Sequence, residues 1–329
     1  MREITMAEAI REALDEEIAR NPEVVVLGED VGLFGGCFGV TAGLYEKYPN
    51  NVLDTMIAET GILGLSLGAA YAGMKPVPEL MFSDFLTVCA DYVVNQASKN
   101  RYMTGMQTGG QSAAMVVRCP NGAGVRAAAQ HSQCMEGFVL NAPGLKIACP
   151  STPYDAKGLL KYAIRGNDPV IFFEHKMLYG VKGPVPDPGE DYVVPFASAD
   201  IKRVGTDVTV VATQALVQKA LSAAAKLEEE GISVEVVDPR SLKPLDKNTI
   251  FGSLRKTGRL VVVNEAYRTG NALNEVVTLC AEECFDALRG PVVRVTGPDT
   301  PIPFSPVLED MWIVQESDII KGVLKALDA

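Results

Sequence analysis

Apolar runs short enough to be strands alternate along this chain with longer segments in which apolar residues recur at helical spacing. In the first half the runs are "EVVVLG" (23–28), "MKPVPEL" (74–80), "SAAMVVRC" (112–119), "LKIACP" (145–150) and "DPVIFFE" (168–174). "VVVLG" and "VIFF" show no polar alternation, which predicts strands covered by helices on both faces. Strand and helix in alternation predict an α/β domain with a mostly parallel sheet over residues 1–180. Its opening, "MREITMAEAIREALDEEIARN", reads as an amphipathic helix.

Residues 181–199, "VKGPVPDPGEDYVVPFASA", crowd prolines, glycines and acids together and predict a linker with no regular element. After it the alternation restarts with "DVTVVAT" (207–213), a helix over 215–231, "SVEVVD" (233–238), "RLVVVNE" (259–265), a helix over 272–288 and "PVVRVTG" (291–297). Residues 200–329 therefore read as a second, smaller α/β domain.

Composition changes the picture mainly by exclusion. With 47% hydrophobic and 22% charged residues the chain can build a generous core. A net charge of −11 and the absence of Lys and Arg clusters argue against a nucleic-acid surface, leaving small molecules and protein partners. The N-terminus lacks the apolar stretch of a signal peptide, and no window gives the roughly 18 uninterrupted apolar residues of a membrane span, so a cytoplasmic protein is expected. Cys37, Cys89, Cys119, Cys134, Cys149, Cys280 and Cys284 are odd in number and never spaced C-x-x-C. They read as reduced, mostly buried thiols, with Cys280 and Cys284 sharing a helix face rather than a metal.

Candidate chemistry concentrates in a few stretches. Glu59 opens a helix in which Gly61, Gly64 and Gly68 recur at i, i+3 and i+7. Each glycine costs a helix about 1 kcal/mol against alanine, so that face must admit something close, either a backbone at a subunit contact or a ligand. Glu59 has two readings: an acid favoured by the helix dipole, or, among Ile57, Ala58, Ile62 and Leu63, a half-buried carboxylate suited to sharing a proton. His131, one of two histidines, lies among Gln130, Ser132 and Gln133 in a loop of small residues, where an imidazole is available for acid–base work. His175 follows a buried strand and reads as structural. Gly122-x-Gly124-x-x-Ala127 matches a dinucleotide-binding fingerprint, but the acid that should follow on a second strand has no candidate in "NAPGLKIACPS". "AIRGNDP" (163–169) reads as a helix C-terminus with free carbonyls, a usual way to hold a monovalent cation.

Taken together, "GEDV" (28–31), "DTMIAETGILGLSLGAAYAG" (54–73), "ELMFSDF" (79–85), "NQASKNRYM" (95–103), "AAAQHSQC" (127–134), "PGLKIACPSTPYDAKGLLKYAI" (143–164) and "DPVIFFEHKMLY" (168–179) resemble the β subunit of the thiamine-diphosphate-dependent E1 component of 2-oxo acid and acetoin dehydrogenase complexes. The resemblance continues through "VVVNEAYRTG" and "TPIPFSPVLED" and so spans nearly the whole chain. It implies a transketolase-like pyrimidine-binding domain followed by a transketolase C-terminal domain. It further implies an α2β2 enzyme whose α subunit holds the diphosphate and Mg²⁺ and which delivers an acyl group to the lipoyl group of an E2 component. In keeping with this, the chain has no GDG followed by a distant Asn, the usual magnesium motif.

By position, the resemblance assigns Glu59 to N1′ of the cofactor aminopyrimidine, Phe85 to the aromatic packed near that ring, Glu29 to a recurrent acid after the first strand, and His131 to the active-site histidine of acyl transfer. The carbonyls of Met115, Ala163, Ile164, Gly166 and Asp168 fall at a potassium site of some relatives. Gly166 stands where some have Asp, Val88 where some have a polar residue, and "MQTGGQSAAMVV" departs from the commoner Gly-Gly-x-x-x-x-Pro pattern. Several stretches, "AGVRAAAQHSQ" and "TPIPFSPVLED" among them, lean toward acetoin over pyruvate or branched-chain 2-oxo acids. Arg126 stands before His131 as a candidate cation for a substrate carboxylate. Two competing readings are a nicotinamide oxidoreductase using Gly122 and Gly124, which lacks its second-strand acid, and a noncatalytic α/β scaffold, against which intact Glu59 and His131 speak.

Overall fold

The computed structural model describes residues 1–105 and 113–328. The chain divides into two compact units, one formed by Met1–Asn121 and Val139–Pro195, the other by Gly122–Phe138 and the residues from Phe196 onward.

In the first unit, Thr5 caps the helix Met6–Arg20: its hydroxyl accepts the Glu8 N–H at 3.2 Å and the Glu8 carboxylate accepts the Thr5 N–H at 2.7 Å. The strands Val52–Asp54, Val24–Gly28 and Lys75–Pro78 pair in parallel in that order. Val116–Asn121, Val170–His175 and Lys146–Ala148 form a second parallel group. A bridge between Glu79 and Arg118, with the Leu80 N–H donating to the Arg118 carbonyl at 2.9 Å, joins the two groups. Val24–Gly28 and Val170–His175 are buried along their whole length, as strands with both faces covered must be. The helices Met6–Arg20 and Pro153–Arg165 share an ionic seam in which the buried Lys157 and Lys161 ammonium groups meet Glu16 at 2.6 and 2.5 Å.

The expected linker is the main difference from the sequence reading. Lys182–Val185 is a strand, paired antiparallel with Arg2–Thr5 in a ribbon of two edges, the setting in which Pro184 costs least. The chain beyond it stays with the first unit: Tyr192 stacks on Tyr154 at 4.5 Å, and Asp191 receives Arg165 at 2.7 Å. The three-residue strand Val52–Asp54 was also unforeseen, because so short a run carries no pattern.

The second unit holds a five-stranded sheet ordered Val293–Gly297, Leu260–Tyr267, Val208–Ala212, Val234–Asp238 and Asp200–Arg203, parallel except for the last. The helices Ala215–Glu229 and Glu316–Leu327 cover it through Leu216, Ala220, Leu227, Ile319 and Val323. Cys280 and Cys284 are buried one turn apart on and just past the helix Asn274–Glu283. Among the described residues no helix is long and apolar enough to cross a membrane.

At the joint of the first unit's sheet Arg118 is fully buried and bridges two acids, Glu79 at 2.6 Å and Glu174 at 2.7 Å, while the Tyr179 hydroxyl donates to Glu174 at 2.8 Å. Arg118→Leu should lower stability by about 3–5 kcal/mol, because it strands two buried carboxylates. Urea unfolding at neutral pH should show an earlier midpoint at unchanged slope. Replacing Glu79 and Glu174 by Gln as well should recover much of the loss.

Candidate functional site

Two loops leave the C-terminal ends of parallel strands in the first unit, the usual place for a ligand in such a sheet. Glu29 follows the strand Val24–Gly28, and Glu59 begins the helix Glu59–Tyr71, which follows the strand Val52–Asp54. Gly28 is needed there, since a Cβ on it would lie 2.9 Å from the Glu79 carbonyl oxygen. Glu29 is half-buried and its carboxyl is pushed above the usual range, first by burial and then by the negative charges of Glu59, Asp30 and Glu79. Glu79 is raised as well, chiefly by burial and against the pull of Arg118. One sequence-predicted acid, Glu59, thus acts on the other, Glu29. Glu59 is half-buried and Ile62 and Leu63 are buried, whereas Ile57, expected to cover the carboxylate, is 76% exposed.

Two thiols lie in the same field. Burial, then Glu59, pushes buried Cys89 up to about 12. Cys37, exposed rather than buried as the sequence suggested, is raised by burial of its sulfur and then by Glu29, Glu79 and Asp30. Phe85, on the short turn Ser83–Thr87, is half-buried, and its carbonyl accepts the Cys89 thiol at 3.4 Å. Val88 is exposed.

The helix glycines divide by what they face. A Cβ on Gly64 would lie 3.2 Å from the ring of Tyr92, which begins the π-helical turn Tyr92–Ala97. Gly68 faces nothing within 4 Å and Gly61 only the Ala58 side chain at 3.6 Å. Both are exposed and share their face with exposed Leu65. Gly64 therefore serves the fold, and Gly61 and Gly68 leave a smooth outer face.

Around the helix Pro153–Arg165 three of the five implied cation-ligand carbonyls accept hydrogen bonds. The Met115 carbonyl accepts the Val170 N–H at 2.9 Å, the Ala163 carbonyl accepts the Gly166 N–H at 3.1 Å, and the Gly166 carbonyl accepts the Lys75 ammonium at 2.5 Å. Lys75 also donates to Asn167 at 2.9 Å, and burial lowers its proton affinity. Ile164 is buried within the same helix. The Asp168 carboxylate pairs with Lys146 and Arg101; these outweigh its burial and hold it below the usual range. The glycine-rich departure at 106–112 lies outside the described residues.

His131 belongs to the segment that packs with the second unit, unlike Glu29, Glu59 and Phe85. It is half-buried in a turn whose N–H reaches the Ala128 carbonyl at 3.4 Å, and Ala128 is left-handed at φ 61°. Sequence reasoning missed what holds this segment: the Ala123 N–H donates to Glu265 at 2.6 Å and the Gly124 N–H to Glu309 at 2.7 Å. Nothing local signals these acids, which lie 142 and 185 residues away. The same bonds remove the dinucleotide reading, since two N–H groups that would cradle a pyrophosphate already face carboxylates. Arg126 is also taken, by Glu309 at 2.8 Å and Asp310 at 2.7 Å. His175 is buried, and its Nδ1 accepts the Met177 N–H at 3.3 Å, a structural cap. Among the described residues no group of three or more His, Cys, Asp or Glu could hold a metal ion.

Comparison with known proteins agrees with this architecture. Residues 2–182 match the transketolase pyrimidine-binding domain and residues 197–319 the transketolase C-terminal domain. The chain is 46% identical to the β subunit of acetoin:2,6-dichlorophenolindophenol oxidoreductase of Cupriavidus necator, covering 99% of this chain and 98% of that one. It is 45% identical to the 2-oxoisovalerate dehydrogenase β subunit of Bacillus subtilis (97% of each) and 42% identical to the pyruvate dehydrogenase E1 β subunit of the same organism (100% of each). Among solved structures, a split-gene transketolase described as an inactive β4 tetramer superposes with a TM-score of 0.81 at 26% identity, covering 99% of both chains. With both transketolase domains in order and such relatives matched end to end, this chain belongs to the E1 β-subunit family of thiamine-diphosphate-dependent acetoin and 2-oxo acid dehydrogenases.

Proposed function

We propose that this chain, paired with an α subunit in an α2β2 assembly in the cytoplasm, cleaves acetoin and passes the acetyl group to the lipoyl group of an E2 component. The observation that carries the catalytic part is the pair of acids that follow parallel strands, Glu59 on a helix start and Glu29 with its carboxyl raised by burial and then by the charge of Glu59. Bound thiamine diphosphate supplies the carbon nucleophile that adds to the substrate carbonyl. Glu59 holds and returns a proton at N1′ of the pyrimidine, a task suited to a half-buried carboxylate at a helix start. Glu29 stands as a second acid after the first strand, and Phe85 packs against the ring. His131 orients reactants and moves protons as the acetyl group leaves. The outer face of Gly61, Leu65 and Gly68 lets the α subunit approach closely, and that subunit holds the diphosphate and Mg²⁺. A potassium ion on the carbonyls of Met115, Ala163, Ile164, Gly166 and Asp168 would share the Gly166 carbonyl with the Lys75 ammonium.

For the substrate, the support lies in the stretches that resemble acetoin-type chains; the presence of Arg126 does not discriminate, since such chains carry it too, but its pairing bears on the choice. A 2-oxo acid brings a carboxylate that needs a cation, and Arg126 is committed to Glu309 and Asp310. Acetoin is neutral and asks for none. Reconstituted with its α subunit, the enzyme should show kcat/KM for acetoin at least ~10-fold above that for pyruvate, a gap of about 1.4 kcal/mol. Carbon dioxide release from pyruvate at equal efficiency would reverse the substrate assignment alone.

Glu59→Gln should assemble normally yet slow exchange of the cofactor C2 proton in D₂O by on the order of 10²-fold or more. His131→Ala should spare that exchange and slow acetylation of lipoamide on the same scale. Unchanged exchange in the first variant would take Glu59 out of the chemistry.

Glu29 makes a prediction about pH. Its carboxyl binds a proton more tightly folded than unfolded, so it takes stability away as pH rises from the unfolded carboxylate value through the folded one. Glu29→Gln should remove that slope, and its melting temperature should gain on the parent between pH 4 and pH 7 (about 4.3 being the unfolded value). Parallel melting curves across this range would contradict the raised proton affinity.

A further inference from the structure

We propose that Glu309, seconded by Glu265, is a positioning residue for His131: the two buried carboxylates pin the neck of the loop that presents the imidazole. The proposal rests on the role given to His131 above. Glu309 is fully buried and Glu265 is 5% exposed. They reach the loop from different elements, Glu265 from the strand Leu260–Tyr267 and Glu309 from the helix Pro306–Trp312. They accept consecutive backbone N–H groups, those of Ala123 and Gly124, at 2.6 and 2.7 Å. Charged acceptors of this kind bind about twice as strongly as neutral ones and fix direction as well as distance.

The loop is closed from its other end too. The Gly122 N–H meets the Gln133 carbonyl at 3.4 Å, the Tyr267 hydroxyl donates to the Gln133 side chain at 3.3 Å, and the Cys134 thiol lies 3.9 Å from the Glu265 oxygen that holds Ala123. Ala123 is buried against Ile302, Trp312 and Ile313. Between these pins the backbone turns through two left-handed residues, Arg126 and Ala128, each at φ 61°. L-residues adopt that conformation only when the surroundings impose it, and such imposed strain collects at functional sites. Arg126 supplies the imposing contact, since its guanidinium spans Glu309, Asp310 and the Pro306 carbonyl at 2.8, 2.7 and 3.2 Å. One oxygen of Glu309 thus holds the neck and the other holds the strained turn that leads to His131. A glutamine can accept only one of these two bonds.

The test uses the enzyme assembled with its α subunit and compares the parent, Glu309→Gln, His131→Ala and the double variant. Two assays are run, acetylation of lipoamide and reduction of an artificial electron acceptor, with hydrogen exchange of residues 122–134 followed by mass spectrometry. Glu309→Gln should lower kcat for lipoamide at least ~10-fold with acceptor reduction held within ~3-fold, and should speed exchange across the loop. The double variant should be no slower than His131→Ala, because a pin that acts through the imidazole has nothing left to position. Unchanged loop exchange, an equal fall in both assays, or additive losses in the double variant would overturn the proposal. If His131→Ala is itself harmless, the acyl-transfer role of the histidine fails; loop exchange then reports separately whether Glu309 is a pin. Should Glu309→Gln not assemble, Arg126→Gln, made at a partly exposed side chain, is expected to change exchange and lipoamide kcat in the same direction.

Discussion

A fully buried guanidinium sets the frame of the first unit. Arg118 stands where two groups of three parallel strands meet, and its two carboxylate partners come one from each group, Glu79 beyond Lys75–Pro78 and Glu174 within Val170–His175. An ion so placed cannot shift register without exposing three charges to a dry interior, so the joint tolerates one alignment. The strand that feeds Glu29 pairs with Lys75–Pro78. The same Glu79 reaches the acid site through its backbone at Gly28 and through its charge at Glu29.

Much of this was written in the pattern of the chain, and the exceptions have physical reasons. Strand cores such as "VVVLG" and "VIFF" were legible because both faces are buried and apolar. The joint was half legible: Glu79, Arg118 and Glu174 are lone charges in otherwise apolar runs, a sign of mutual burial that no single run can resolve into partners. Lys182–Val185 was hidden by its proline, which argues against a strand except at an edge, and edges are a property of the assembled sheet.

The candidate site divides in the same way. Glu59 and the glycine face could be picked out because glycines are costly in a helix, yet only the structure separates Gly64, pressed by Tyr92, from Gly61 and Gly68, which face outward. His131 stood out by rarity and by its small neighbours. The acids that hold its loop did not, because a carboxylate accepting a backbone N–H from a distant segment leaves no spacing in the sequence. Arg126 shows the reverse error: a cation near a candidate histidine suggests a substrate anchor until its own acids are seen.

The thiols beside the acid pair bear on what such a site survives. Cleavage of acetoin would release an aldehyde, and aldehydes and oxidants attack cysteine through its thiolate. Cys37 is open to solvent and Cys89 lies in the field of Glu59, but burial of the sulfur first and the neighbouring carboxylates second make each thiol keep its proton more firmly than a free cysteine. A thiol held in that form is a poor nucleophile. The burial and negative charge that help Glu29 keep its proton therefore also quiet the sulfurs near it, so cysteine can stand in the walls of this site in its unreactive form.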